Sequence, residues 1–464
     1  MKNHKKLVNN KIKDEQLQTN LKNASYILQK NRKNTINTKF TDWDGLRNKA
    51  KNVKNNSLST LKDRILEFEE NATKNGIKVH FADTKEDACE IIYQLMQEKN
   101  ITKALKGKSM ASEEIELNDY LKKRGIQAIE TDLGELIIQL EGEKPVHIVG
   151  PALHKNRYEI GEIFAKKLNA AKEDEPEKLN SIARKYLREH FKDLKLGISG
   201  VNIAISSKGA IWLVENEGNG RMCTSACDIH VAICGIEKIV KDFKDACTIN
   251  TILATSAAGQ FVSVYSNIIT SPKKENDFDG PKEVHVILLN NNRLEVLKDE
   301  CQYEVLRCIR CGVCANFCPV YNKIGGHAYD AVYSGPIGVV ISSGIFGLKE
   351  HGDILSFCSL CGRCADACPV KIPLPDLIRK LRYEKVKNHK NAKEDFIFNK
   401  FATYATNGKK WRFIINNIQK TNFFINNFGK IIPIVKDWKA YKDLPKLGGD
   451  LYKTLQSTKG VIYE

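Results

Sequence analysis

The sequence contains no run of eighteen or more apolar residues, which argues against a membrane-spanning helix. Its first residues, MKNHKKLVNNKIKDEQ, are basic and carry no apolar stretch, so no secretory signal is expected there. GlyAsnGlyArgMetCys at 218–223 falls short of G-x-G-x-x-G, and no G-x-x-x-x-G-K-[ST] occurs. Neither the dinucleotide fingerprint nor the phosphate loop is therefore present. RNA-binding signatures and zinc-finger spacings are also missing, which argues against a nucleic-acid partner. The 464 residues are 42% hydrophobic and 28% charged, an ordinary balance for a folded chain of two or three domains.

The net charge of +17 sits at the ends. Residues 1–56 hold 14 Lys/Arg against 4 Asp/Glu, and residues 377–464 hold 19 against 7, so the stretch between is −5. Basic ends suit an anionic membrane face, an acidic protein or plain solvation. The C-terminal segment WRFIINNIQKTNFFINNFGKIIPIVKDWK mixes aromatic and aliphatic residues with Lys. As an amphipathic helix it would pack on its own chain, meet a partner, or touch the inner face of a membrane peripherally.

Four regions follow from the changes in pattern. Residues 1–57 read as a basic, partly helical extension. Residues 58–292 alternate short apolar strands with helices, as in an α/β domain. Helices are expected at 58–76, after Thr84, after Ser112, at NRYEIGEIFAKKL and at KLNSIARKYLREHFKDL. Strands are expected at IKVHFA, IQAIET, ELIIQL, VHIVG, VNIAIS, IWLVEN and EVHVILLNN. Residues 293–385 are rich in Cys, Gly and Pro and read as helical without strands. Residues 386–464 read as a basic helical tail.

Cysteine carries the strongest signal. Eight of the 14 lie between 308 and 368. They form two runs, Cys308-x2-Cys311-x2-Cys314-x3-Cys318-Pro319 and Cys358-x2-Cys361-x2-Cys364-x3-Cys368-Pro369. Zinc sites pair two C-x2-C units or combine Cys with His. A duplicated four-Cys run with Pro after the last is instead the pattern of a two-cluster ferredoxin. Three thiolates wrap one cubane, and the fourth points to the other. The spacing thus assigns Cys308, Cys311, Cys314 and Cys368 to one [4Fe-4S] cluster, and Cys318, Cys358, Cys361 and Cys364 to a second. The 39 residues between Cys318 and Cys358 exceed what a minimal ferredoxin needs and read as helical. In a reducing cytoplasm, clustered thiols serve metal rather than disulfides. Lys349, Arg363 and Lys371 are placed to raise the cluster potentials. Cys89 reads as core, Cys223 and Cys227 with His230 nearby form a weaker metal candidate, and Cys301 has no partner at cluster spacing.

VENEGNGR, residues 214–221, reads as a strand running into a loop, where α/β folds bind ligands. Glu215 or Glu217 is a candidate general base, and Arg221 a candidate fork for the carboxylate of a small ligand. One Glu pairing structurally with Arg221 is the plainer alternative. His147, His154 and His230 read as hydrogen-bonded structural residues; Ser109 and Lys155 read as loop residues near a ligand.

RCIRCGVCANFCPVY, HAYDAVYSGPIG and CSLCGRCADACPVKIPLPDL resemble the lactate utilization protein B family, the iron–sulfur subunits of bacterial L-lactate oxidation. Residues 108–140, 147–157 and 198–240 resemble its LUD domain. Cys223 and SerAlaCys before His230 depart from the family pattern in that loop. The resemblance implies a sugar-isomerase- or CoA-transferase-like α/β fold followed by an α-helical two-cluster module. It implies electron transfer during oxidation of lactate to pyruvate, with a cysteine-rich iron–sulfur subunit and a LUD-only subunit as partners. Lactate gives up two electrons and a cluster takes one, so a flavin in the assembly is a further expectation, with no site for it in this sequence. A stand-alone transferase or isomerase with structural clusters is the alternative, and a redox-responsive nucleic-acid binder using the basic ends a third.

Overall fold

The computed structural model describes residues 4–300, 302–388, 392–414 and 417. Cys301 and most of the aromatic C-terminal segment lie outside the described residues. Residues 1–385 make one compact unit, and residues 386–464 a second, which contains the helix Ala392–Ala405.

A six-stranded, all-parallel sheet organises the first unit. Its order is Lys78–Ala82, Glu283–Leu289, Ile229–Gly235, Leu196–Gly200, Lys103–Lys106 and Gln127–Glu130. The two central strands, Ile229–Gly235 and Leu196–Gly200, are buried almost throughout, as helices on both faces of a parallel sheet require. A second, mixed sheet of four strands holds the expected hairpin, Ile203–Ile205 against Ala210–Glu215.

Local chemistry sets the boundaries. Thr84 accepts the Asp87 N–H while Asp87 reaches back to Thr84, a capping box that starts Lys85–Glu98. The helix expected from residue 58 begins only at Leu61, because Thr60 interrupts the run from Trp43–Ser59. Ser109, not Ser112, caps Met110–Glu114, and Ser112 is buried with its hydroxyl on the Ser109 carbonyl. Two expected strands do not form. ELIIQL belongs to the helix Leu133–Glu141, started by Asp132 accepting the Glu135 N–H and stopped by Gly142 at φ +71°. VHIVG is irregular, because His147 Nδ1 accepts the N–H groups of Val149 and Gly150 and takes those donors out of any ladder.

Among the described residues, 293–385 are helical without strands, as the sequence implied; Gly335–Ile345 is nearly all buried. The basic extension is helical nearly throughout, as His4–Ile12, Glu15–Lys39 and Trp43–Ser59. It is not a loose arm. One apolar core joins its Leu17, Leu21 and Val53 to Trp212 and Ile249 of the α/β region and to Val305, Tyr321 and Leu377 of the cysteine-rich region.

A buried charge network crosses the same junction. Arg293 grips both oxygens of Glu114 at 2.7 and 2.8 Å and reaches Glu237 at 2.5 Å. Arg310, between Cys308 and Cys311, donates to the other Glu237 oxygen at 3.1 Å. Tyr333 donates to Glu114, and Lys54 of the extension donates to the Glu237 carbonyl. Burial alone would raise the Glu237 carboxyl, but Arg293 and Arg310 outweigh it and hold it at about 2. Removing one member strands the others in a dry interior. Arg293→Met is therefore expected to cost about 3–5 kcal/mol, and Tyr333→Phe about 1 kcal/mol, read as shifts in the urea midpoint.

Candidate functional site

A cleft of about 310 Å³ opens beyond the carboxyl ends of the parallel strands. Lys103–Lys106 delivers Lys108 and Ser109 to it, Leu196–Gly200 delivers Ser199 and Asn202, and Gln127–Glu130 delivers Asp132. The hairpin strand Ala210–Glu215 runs out into Glu215 and Glu217 on its rim. Arg310, from the first cysteine loop, forms part of the wall.

The two glutamates do different things. Glu215 accepts the N–H groups of Gly220 and Arg221, at 2.7 and 2.5 Å, and the Asn267 amide at 3.0 Å. It folds the EGNGR turn, and the Gly220 position leaves no room for a Cβ against its carboxylate. Glu217 has an exposed stem, yet its carboxylate turns onto the Leu133 N–H and lies beside Asp132. Burial first, then the neighbouring Asp132 charge, raises its carboxyl to about 7. Glu217 is thus about half protonated at neutral pH. Lys108 lies 3.7 Å from Asp132, and Lys238 donates to the Val201 carbonyl at 2.6 Å while lining the same cleft. Such cations can hold a small organic acid, and the ionised Glu217 carboxylate can take the proton of its hydroxyl.

The remaining candidates divide. Arg221 is exposed and does not line the cleft. Ser109 does line it, and so does Ser199, which is held by buried His230 at 2.8 Å. Burial keeps His230 neutral, with its pKa down at about 3. His147 is buried against Gly312 of the first cysteine loop; a Cβ there would meet its ring at 2.9 Å. His154 and Lys155 both bond Glu143, at 2.7 Å, beside His327. That group has metal-ligand chemistry, but the Lys155 ammonium already holds the carboxylate. Cys223 and Cys227 are buried, with thiols pushed up to about 12, and His230 faces away to Ser199; the three do not assemble as a metal site. Cys89 is core, bonded to the Ile115 carbonyl.

The eight clustered cysteines converge without disulfides. Cys311 has Cys308 and Cys368 as electrostatic neighbours, and Cys314 has Cys308 and Cys311 first, with Cys364 of the other run also near. Cys318 has Cys358 and Cys361, and so does Cys364. Backbone N–H groups aim at the sulfurs: Arg310 at Cys308 and Tyr321 at Cys318 at 3.4 Å, Leu360 at Cys358 and Ile372 at Cys368 at 3.3 Å. Crowded thiols with inward amides fit thiolate ligands around iron and sulfide. Apolar burial raises these thiols, a cost that binding cationic iron offsets.

Comparison with known proteins agrees region by region. A family model described as the LUD domain matches residues 65–289, and one described as a 4Fe-4S dicluster domain matches residues 304–372. The "Uncharacterized electron transport protein YkgF" of Escherichia coli is 38% identical over 96% of this chain and 94% of its own length. "Lactate utilization protein B" of Bacillus subtilis is 41% identical over 74% of this chain and 71% of its own. The protein of that name from Geobacillus kaustophilus is 42% identical over 73% and 71%.

The chain belongs to the lactate utilization protein B family.

A model for the C-terminal region of that family also matches residues 380–461. As a family member the chain carries [4Fe-4S] clusters in its dicluster domain. Sequence reasoning missed Asp132, Lys108, Asn202, Lys238 and Arg310. Asp132 carried a signal, since Asp before LGELIIQL reads as a helix cap as soon as that segment is taken as helix. Arg310 carried none, because C-x2-C spacing says nothing about the residues between. The raised Glu217 carboxyl is testable by infrared difference titration of the native protein against Glu217→Gln. A carboxyl ionising as pH rises through about 7 is expected; in Asp132→Asn the same ionisation moves toward the ordinary glutamate range.

Proposed function

We propose that this chain is the iron–sulfur electron-transfer subunit of a system that oxidises L-lactate to pyruvate. The reaction releases two electrons and two protons per lactate. The clusters, when bound, supply one-electron acceptors. The reading assigns Cys308, Cys311, Cys314 and Cys368 to one cluster and Cys318, Cys358, Cys361 and Cys364 to the other. Supporting it are the pairing of electrostatic neighbours among these cysteines and the names of the relatives.

One observation carries the reading most directly. Arg310 lines the cleft while its own N–H points at the Cys308 sulfur. A site suited to a hydroxy acid and a ligand loop for an electron acceptor thus share one residue. In this reading Lys108, Lys238 and Arg310 hold the lactate carboxylate, and the Asp132–Glu217 pair takes the hydroxyl proton. The second electron of each pair calls for a two-electron group, a flavin among the candidates, in a partner. The partners proposed are a cysteine-rich iron–sulfur subunit and a LUD-only subunit. Among the described residues no helix is long and apolar enough to cross a membrane. The assembly is placed in the cytoplasm, with the basic ends available to the inner membrane face.

The test is anaerobic purification followed by iron analysis and EPR, with and without lactate and the co-purifying subunits. About eight irons per chain are expected, with two interacting signals that fill on lactate addition only when the partners are present. Cys368→Ala is expected to remove the cluster of Cys308, and Cys318→Ala that of Cys358. Zinc in place of iron overturns the reading. Clusters that stay inert while turnover persists favour the transferase alternative.

A further inference from the structure

The two cysteine groups sit in unlike places. Cys308, Cys311, Cys314 and Cys368 are all buried. Leu253 and Ala257, which line the cleft, pack into the same apolar cluster as Cys311. Cations of two regions surround this group. Arg32 of the extension donates to the Ala367 carbonyl at 3.0 Å, Arg47 to the Cys368 carbonyl at 2.8 Å, and Arg310 lies over Tyr333 beside Cys308.

The other group opens outward. Cys361 is exposed, and Cys318 and Cys358 are half-buried. Leu360 beside it is 40% exposed and held at φ +57°, while its N–H points in at Cys358. Next, Gly362 at φ +84° faces open space, with no atom within 4 Å of where a Cβ would stand. Ser359 and Arg363 flank the tip and are exposed too. This is a projecting loop that carries a redox ligand at its point, with an apolar residue next to it. A small molecule needs a concave site. A protein can cover a projection, bury Leu360 and bring its own centre close to Cys361. Electron tunnelling falls off steeply with distance, so an exposed ligand thiol is where transfer between proteins is fastest.

Resting on the cluster reading above, we propose that electrons have one direction through this chain. They arrive at the Cys308 group on its cleft side, one at a time from the partner's reduced two-electron group, and leave through the loop Ser359–Arg363 to a one-electron carrier protein that docks over Leu360 and Cys361. Each transfer is one electron, oxidising the Cys358 group's cluster and reducing the carrier's centre, with no bond made or broken in this chain.

The test uses the cluster-loaded chain reduced with dithionite, so it does not depend on lactate. Re-oxidation is followed by stopped flow with two probes, a cationic cytochrome c and an acidic flavodoxin. Arg363→Glu reverses a charge at the loop, and Lys166→Glu reverses one on the helix Arg157–Leu168, which packs in a separate core of the LUD region. Docking at the loop predicts that Arg363→Glu speeds the cytochrome at least threefold and slows the flavodoxin at least threefold, while Lys166→Glu changes neither. A shift in cluster potential alone would move both rates the same way. Equal responses to the two variants, or same-sign changes with both acceptors, overturn the proposal. A second measurement needs no surface variant. A soluble dysprosium chelate should enhance EPR relaxation of the signal lost in Cys358→Ala and spare the one lost in Cys308→Ala; equal enhancement of both overturns it.

Discussion

Everything in the first 385 residues hangs on the carboxylate of Glu237. It lies in a dry interior between Arg293 and Arg310, with Lys54 on its own carbonyl. Glu237 belongs to the α/β region, and those partners come from the start of the helical region after residue 292, the first cysteine loop and the basic extension. An isolated carboxylate there would give up its charge by taking a proton. With two guanidiniums in place it stays ionised, and each guanidinium is fixed in turn. Arg310 can therefore stand at φ +61° between Cys308 and Cys311, face the cleft and keep its N–H on Cys308. Buried ion pairs contribute little net stability compared with apolar packing, but they tolerate few alternative arrangements. Here that restriction holds the cleft and the ligand loop in one register.

The sequence was readable where a single physical rule decided the outcome. Cysteine spacing is a coordination constraint, and it pointed to the region that the 4Fe-4S dicluster family model matches, residues 304–372; the strandless character of residues 293–385 was legible as well. Capping chemistry placed Lys85–Glu98. It failed where two rules competed. ELIIQL is apolar enough for a buried strand, and only the cap at Asp132 and the left-handed Gly142 turn it into a helix. Ile229–Gly235, the middle of the sheet, was not singled out, because an unbroken apolar run lacks the alternation that marks a half-exposed strand.

The cleft was half legible. The strand-to-loop switch at VENEGNGR was visible, and both glutamates lie on its rim. Their division of labour was not visible, since it depends on which N–H groups surround each carboxylate. Glu215 is consumed by its own turn. Glu217 is left facing an acid from a loop 85 residues earlier. Arg221, the natural guess for binding an anion, gives only its backbone to the site. The cations in the wall are Lys108, Lys238 and Arg310, which sequence proximity could not bring together.

Arg32 and Arg47 hold the backbone of residues 365–368 from more than 300 positions away. They emerge from the ribosome long before Cys368 does. The helices that carry them share one apolar core with residues of the cysteine-rich region, so the seat of residue 368 takes its shape only when the two ends of that unit have come together.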